Sequence, residues 1–175
     1  GIAPHVERYF GFDMSKKVIE QLRKQVDEKE WSHVSLAIGS ASDILNAPSL
    51  GSSEEMYDLV IINSVAQYFP SKDYLRDTLV QAAKLVRPNG HIFIGDLRAN
   101  ATLDTHHLSL ALFDQGNTPI ALSTLKKRLI LSKDREVELL VDPGALEVML
   151  ASRNASAWPK LKDSNTNNEL SRFRY

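Results

Sequence analysis

Between Asp58 and Asn63 the chain reads Leu59-Val60-Ile61-Ile62, an unbroken apolar run closed by an acid and an amide. The run is far too short for a membrane helix, which takes about 20 apolar residues. It shows no polar alternation, so it fits a strand covered on both faces, as in a parallel sheet. His91 to Asp96 (HIFIGD) forms a second such strand. Two buried strands of this kind need crossovers, and the intervening segments supply them.

Glu7 to Asp13 is an aromatic-rich segment ending in an acid, a candidate strand. Ser15 then offers an N-cap, and Val18, Ile19, Leu22 and Val26 follow at helical spacing, predicting a helix from Ser15 to Lys29. Val34 to Ile38 is the next strand, and Asn46 to Glu55 reads as a surface loop. Ser71 or Asp73 caps a helix through Val86, with Arg87-Pro88-Asn89-Gly90 as the turn that ends it. The order predicts a doubly wound, mostly parallel α/β sheet. Beyond it, Leu103 to Phe113 and Thr118 to Leu131 read as helices, and Asp142-Pro143 starts another with Pro in its first turn. Trp158 to Lys162 and Asn168 to Tyr175 form a candidate antiparallel hairpin. The 175 residues are expected to make a single domain, a sheet over 1–98 followed by a helical segment and hairpin over 99–175.

Charge and composition narrow the partners. Lys plus Arg number 21 against 22 acids, a formal charge of −1, so no global basic field holds nucleic acid or an anionic membrane. The chain has no Cys, which excludes disulfides, a thiolate metal site and a cysteine nucleophile. The first residues already carry Pro4, His5, Glu7 and Arg8 and make no signal peptide. A cytoplasmic domain is the expectation. Residue 1 is Gly rather than Met, so the chain reads as an excerpt from something longer.

In open α/β sheets ligands bind beyond the carboxyl ends of the strands. Those ends carry Asp13, Gly39 to Asp43, Asn63 to Phe69 and Gly95-Asp96. Asp13 could accept hydrogen bonds from both hydroxyls of a nucleoside ribose, or else begin a turn or cap the helix beside Ser15. Asp43 could accept from an adenine amine, with neighbouring backbone N–H groups addressing the ring, or cap Ile44-Leu45. In the segment Asn63 to Pro70, amide side chains can orient an amine and aromatic faces can stabilise a sulfonium or ammonium. Function is the preferred reading for Asn63, Gln67 and Tyr68; packing against the sheet is preferred for Phe69. Tyr68 and Lys72 have the Tyr-x-x-x-Lys spacing of short-chain dehydrogenases, but Pro70 between them breaks the helix that motif requires. Adjacent His106 and His107 diverge on a helix and do not face one metal, and no metal site is expected.

The string from Tyr57 to Pro70 resembles the methyltransferase domains embedded in nonribosomal peptide synthetases. The similarity continues through Asp73-Tyr74-Leu75, Leu85 to Gly90 and Ile92 to Arg98, and extends to Ala3–Tyr9, Gly11–Ser15, Glu138–Pro143 and Asn168–Tyr175. The resemblance implies a Rossmann-like class I methyltransferase sheet, here lacking its first strand and glycine loop. It implies S-adenosyl-L-methionine as cofactor, with Asp13 on the ribose, Ala41, Ser42 and Asp43 beside the adenine, and Asn63 and Ser64 along the bound cofactor. It places Asn63, Gln67, Tyr68 and His107 near the reacting groups, although His106 stands where the family has Phe. The implied reaction is methyl transfer to the α-amine of an aminoacyl or peptidyl thioester on a carrier domain, between adenylation and carrier neighbours. His107 and Asp96 are both candidates for a general base. The Asp163 to Asn167 loop lacks the family's Gly, and Pro159 interrupts its strand. Without the glycine loop, the chain as it stands is expected to bind the cofactor poorly. The rival readings are an inactive methyltransferase-like scaffold and a nicotinamide-dependent oxidoreductase.

Overall fold

Tyr9–Asp13 (β1) runs parallel to Val34–Ile38 (β2), with Tyr9 opposite Val34 and Asp13 opposite Ile38. The helix Lys16–Glu28 (α1) makes the crossover between them. The structure is a computed structural model that describes residues 1–46, 56–116, 118–151, 155–160 and 174–175. α1 starts where its sequence says it should: the Ser15 hydroxyl accepts the Val18 N–H at 3.3 Å. It ends at Lys29, after which Glu30 takes φ +54° and the Trp31 N–H returns to the Val26 carbonyl at 3.0 Å, a Schellman closure. Ile19 is fully buried, and Arg23 on the same helix donates to the Leu36 carbonyl of β2 at 3.2 Å.

A second pair joins Tyr57–Asn63 (β3) to Val86–Gly95 (β4). The expectation that β3 is covered on both faces is wrong. Ile62, Ile92 and Ile94 pack into a core, while Leu59, Ile61 and Phe93, which alternate onto the opposite face, are exposed. Among the described residues, apolar packing reaches only one side of this pair, which leaves an uncovered apolar face.

Helix α2 (Lys72–Leu85) is capped by Ser71 rather than Asp73: the Ser71 hydroxyl accepts the Tyr74 N–H at 3.1 Å. It stops one residue before Val86. The predicted turn Arg87 to Gly90 falls within the bounds of β4, a correction to its assignment. The turn chemistry survives inside it. Asn89 takes φ +66°, which its short polar side chain tolerates. A Cβ on Gly90 would come within 2.5 Å of Val86 Cγ1, 2.9 Å of the Asp58 carbonyl and 3.1 Å of the Arg87 carbonyl, so no side chain fits there without a shift.

Three further helices follow: α3 (Leu103–Gln115), α4 (Leu122–Asp134) and α5 (Pro143–Leu150), the last with Asp142 at its N-cap and Pro143 at its first position. α4 begins later than Thr118, because Pro119 lies in the connection. The described chain divides into two compact units, Gly1–Val60 with Val80–His91, and Ile61–Leu79 with Ile92–Tyr175. The second has the larger core, built from Ala66, Leu75, Leu79, Leu97, Val141, Leu146 and Tyr175. Tyr175 exchanges both backbone hydrogen bonds with Leu97 (3.0 and 3.1 Å), and its hydroxyl donates to the Val141 carbonyl. Burial, with a smaller push from Asp142, raises the phenol pKa well above the usual tyrosine value. Arg174 forms an antiparallel bridge with Arg98, whereas most of the expected hairpin lies outside the described residues. No helix of the described residues is long and apolar enough to cross a membrane.

Candidate functional site

In the first unit the carboxyl ends of β1 and β2 lie side by side, joined by the Gly39 N–H to the Asp13 carbonyl at 3.0 Å. One oxygen of Asp13 accepts the Ser15 N–H at 2.7 Å, so the carboxylate is fixed by the start of α1. The local role foreseen for Asp13 is therefore present, and its second oxygen is oriented by the same contact. After β2, Ala41, Ser42 and Asp43 lie in the 3₁₀ turn Ala41–Asn46. Asp43 reaches back to Ser40, accepting its N–H at 3.1 Å and its hydroxyl at 2.5 Å, while the Ser40 and Ser42 hydroxyls sit 2.8 Å apart. The Ser40 hydroxyl, then its N–H, holds the exposed Asp43 carboxyl below the usual carboxylate range against a small opposing desolvation. Only one half of a capping box is made: the carboxylate accepts the Ser40 N–H, but the Ser40 hydroxyl donates to that carboxylate and the Asp43 N–H bonds the Ser40 carbonyl at 2.9 Å instead.

The second unit contains a tighter construction. β3 and β4 end side by side in residues with left-handed backbones, Ser64 at φ +57° and Asp96 at φ +68°. Such conformations cost non-glycine residues about 1–3 kcal/mol and concentrate where surrounding structure imposes them. Here the imposing contacts are visible. Asn63 Nδ2 donates to the Ser64 hydroxyl at 3.1 Å, and that hydroxyl donates to Asp96 Oδ2. The Ser64 N–H also bonds the Gly95 carbonyl at 3.3 Å, and a Cβ on Gly95 would overlap Asn63 Oδ1. An amide, a hydroxyl and a buried carboxylate are thereby connected at two strand ends.

The segment after Ser64 separates its polar members. Gln67 is 4% exposed, and its backbone carbonyl accepts the Leu139 N–H at 2.7 Å. Its Oε1 is buried without a hydrogen-bond partner among the described residues, an acceptor whose desolvation is uncompensated. Tyr68, by contrast, is 69% exposed. Phe69 meets Tyr74 edge-on at 4.8 Å and packs against the core, the packing role expected of it. Tyr68 belongs to a 3₁₀ turn and Lys72 to the start of α2, so the two do not share a helix.

His107 does not stand alone. Its Nε2 lies 3.4 Å from Glu136 Oε2, and Glu136 pairs with Arg98 at 2.5 Å. Arg98 approaches Glu138 at 3.6 Å; Arg174 pairs with Glu138 at 2.9 and 3.0 Å and donates to the Asp96 carbonyl at 3.1 Å. A buried chain of two guanidiniums and two carboxylates thus runs from the backbone of Asp96 to the imidazole of His107. Burial pushes the Glu136 carboxyl up, but the Glu138 N–H, Arg98 and His107 together outweigh it, so it titrates below its ordinary value. Sequence reading missed Arg98, Glu136, Glu138 and Arg174 as a set. The available signal was a charged pair two residues apart, Glu136 and Glu138, directly before the apolar Leu139-Leu140-Val141. His106 and His107 are both buried, with ring centroids 5.1 Å apart and the rings tilted by 50° to one another.

The family described as a methyltransferase domain matches residues 3–142. The chain belongs to that family. It resembles the methyltransferase segments of nonribosomal peptide synthetases: it is 32% identical over 174 residues to the probable non-canonical nonribosomal peptide synthetase CymA of Salinispora arenicola. It is 33% identical over 180 residues to the nonribosomal peptide synthetase asqK of Emericella nidulans. These alignments take in 99% and 97% of this chain but only 2% and 7% of the two synthetases, so the methyltransferase domain spans a small part of their length. An O-methyltransferase family protein from Burkholderia thailandensis superposes with a TM-score of 0.51 at 13% identity, covering 89% of this chain and 48% of that one. The methyltransferase domain therefore has the class I methyltransferase fold.

Proposed function

We propose that the methyltransferase domain transfers a methyl group from S-adenosyl-L-methionine to the α-amine of an aminoacyl or peptidyl thioester held on a carrier domain. In this reading it works in the cytoplasm as one domain, flanked by adenylation and carrier domains of a synthetase. The observation that carries it is the Asn63–Ser64–Asp96 cluster, a strained polar group at two strand ends, where ligands bind in this class of sheet.

Within each unit, the strand-end residues offer chemistry that suits part of the cofactor. Asp13 offers a carboxylate acceptor for ribose hydroxyls, and Asp43, held below the usual carboxylate range by Ser40, offers one for the adenine amine. Ala41 and Ser42 contribute backbone N–H groups to the ring, and Asn63 with Ser64 orients the portion nearer the sulfur. When bound, S-adenosylmethionine supplies an electrophilic methyl on a sulfonium leaving group. The protein's work is mainly alignment of nitrogen, carbon and sulfur. Gln67 Oε1, lacking a partner of its own, suits the amine N–H, and Tyr68 offers a ring face to the cation. His107 Nδ1 serves as the acceptor of the amine proton, while its Nε2 lies 3.4 Å from Glu136, an ionic distance rather than a hydrogen bond. Glu136 then stabilises the imidazolium that results. Asp96, whose carboxylate already holds the Ser64 hydroxyl, is the less suited of the two bases.

The test is mass spectrometry of a carrier-bound aminoacyl thioester after incubation with S-adenosylmethionine and the full-length protein that carries these residues. One methyl on the amine nitrogen is expected. An unmethylated substrate, together with calorimetry showing no cofactor binding, would favour the scaffold reading. In the same protein, Asp13→Ala should weaken S-adenosylmethionine binding about 10- to 150-fold, the worth of ~1.5–3 kcal/mol in charge-assisted hydrogen bonds. An unchanged titration would remove Asp13 from the site.

A further inference from the structure

Asp96 follows the last residue of β4 with a left-handed backbone and is 6% exposed. A buried carbonyl at such a turn needs a donor. Arg174 Nη1 supplies it at 3.1 Å, from a residue 78 positions away that is itself 5% exposed. The same guanidinium is anchored on Glu138: Nη2 donates to Oε1 at 3.0 Å, and Nη1 lies 2.9 Å from Oε2. Oε2 nevertheless has no hydrogen-bond partner among the described residues, so the geometry of Nη1 serves the Asp96 carbonyl and not the second carboxylate oxygen. A guanidinium placed only to neutralise Glu138 is free to make two parallel bonds to its carboxylate. The neighbours of this ion pair make two further grips. Leu139, next to Glu138, donates its N–H to the Gln67 carbonyl at 2.7 Å, and Tyr175, next to Arg174, exchanges backbone hydrogen bonds with Leu97. The Glu138–Arg174 pair thus stands between one hold on Gln67 and another on Asp96–Leu97, all within the second unit.

We propose that Arg174 is a positioning residue for methyl transfer: anchored by Glu138, it fixes the backbone of Asp96 and thereby the carboxylate that holds the Ser64 hydroxyl. The assignment rests on the function proposed above, in which Asn63 and Ser64 face the cofactor and Gln67 faces the amine. In that reading Arg174 meets neither substrate nor cofactor, and its effect passes through Asp96. If the Asp96 carbonyl loses its donor, the backbone turns and Oδ2 leaves the Ser64 hydroxyl. Ser64, left-handed at φ +57°, then loses one of the contacts that impose its conformation. Lysine cannot repeat the arrangement, because carbonyl and carboxylate are reached from two nitrogens of one rigid plane. A shift of about 1 Å at an aligned displacement is enough to slow it on the order of 10²-fold.

The experiment uses the full-length protein and a carrier-bound aminoacyl thioester. In Arg174→Lys, kcat should fall about 10- to 100-fold while KM for the thioester stays within about twofold, the signature of lost alignment and not of lost binding. Tyr175→Phe is the comparator: it removes the hydroxyl bond to the Val141 carbonyl and leaves the contacts of Arg174 in place. It should melt at a lower temperature and keep the wild-type kcat. In a Ser64→Ala background, Arg174→Lys should cost less than about threefold more, because the hydroxyl it positions is gone. Hydrogen exchange of the cofactor-free protein gives a readout without turnover. In Arg174→Lys the Ser64 amide, bonded to the Gly95 carbonyl at 3.3 Å, should lose more protection than that of the fully buried Leu79. In Tyr175→Phe the two should move together. A wild-type kcat in Arg174→Lys overturns the assignment, as does a loss that multiplies in full with Ser64→Ala or one that Tyr175→Phe reproduces. Should Arg174→Lys fail to fold, Glu138→Gln carries the same comparison through a weakened anchor, and a wild-type kcat there overturns it equally. If the wild-type protein methylates no thioester, the underlying function fails, and the exchange pattern alone decides whether Arg174 positions Ser64.

Discussion

Arg98→Ala is expected to lower the unfolding free energy by about 3–5 kcal/mol, the typical cost of removing one partner from a buried ion pair. The size follows from what stays behind. The side chains of Glu136 and Glu138 are 9% and 13% exposed, and Arg98 contacts each of them. Without it, among the described residues Glu136 keeps His107 and backbone donors, while Glu138 keeps Arg174. Lysine should rescue the loss only in part, since an ammonium cannot repeat the planar fork that spans two carboxylates. Urea unfolding at neutral pH gives the measurement, and a loss below about 1 kcal/mol would mean that water reaches the network freely. The same network predicts the acid response. Because Glu136 titrates below its ordinary value in the folded protein, its contribution is fully present above the unfolded-state pKa. It is lost as pH falls through the lower folded value. Stability should therefore decline on the acid side of the ordinary carboxylate range, and Glu136→Gln should flatten that part of the curve.

His107→Ala should reduce kcat about 10²- to 10⁴-fold, the usual contribution of a positioned general base, with S-adenosylmethionine affinity unchanged. Glu136→Gln acts through the imidazole, so it should move the pH–rate profile as well as lower its plateau. The two effects are expected to be non-additive, because the residues work as a unit. Wild-type turnover by His107→Ala on a carrier-bound amine would transfer the proton-accepting role to Asp96 or to solvent. Asp96→Asn is the companion variant: it retains size and a hydrogen-bond acceptor for Ser64 but removes the charge.

Local signals were legible in the sequence where the physics is local. Ser15 and Ser71 mark helix starts with their own hydroxyls, and Asp142-Pro143 announces α5 through proline's fixed φ. β1, β2 and β3 all appear close to their predicted places, because runs of apolar and aromatic residues bounded by polar ones need no distant partner to be recognised. The coverage of β3 was not legible: a run such as Leu59 to Ile62 reports hydrophobicity, not how many layers pack on it. The charge network was invisible for a related reason. Arg98 meets Glu136 across 38 positions, and Arg174 meets Asp96 across 78, separations that leave no periodic trace. Asp96 and His107 stood out as individual side chains; the groups that connect them did not.

Ser64 places two demands on one position that no single residue satisfies fully. Glycine would relax its left-handed backbone, yet it would delete the hydroxyl that bridges Asn63 and Asp96. Threonine would keep the hydroxyl, but its branched Cβ tolerates that conformation poorly. Variation at this position therefore faces a choice between a calmer chain and a connected carboxylate. Replacing Ser64 by glycine therefore relieves the backbone and uncouples the two strand ends in the same step.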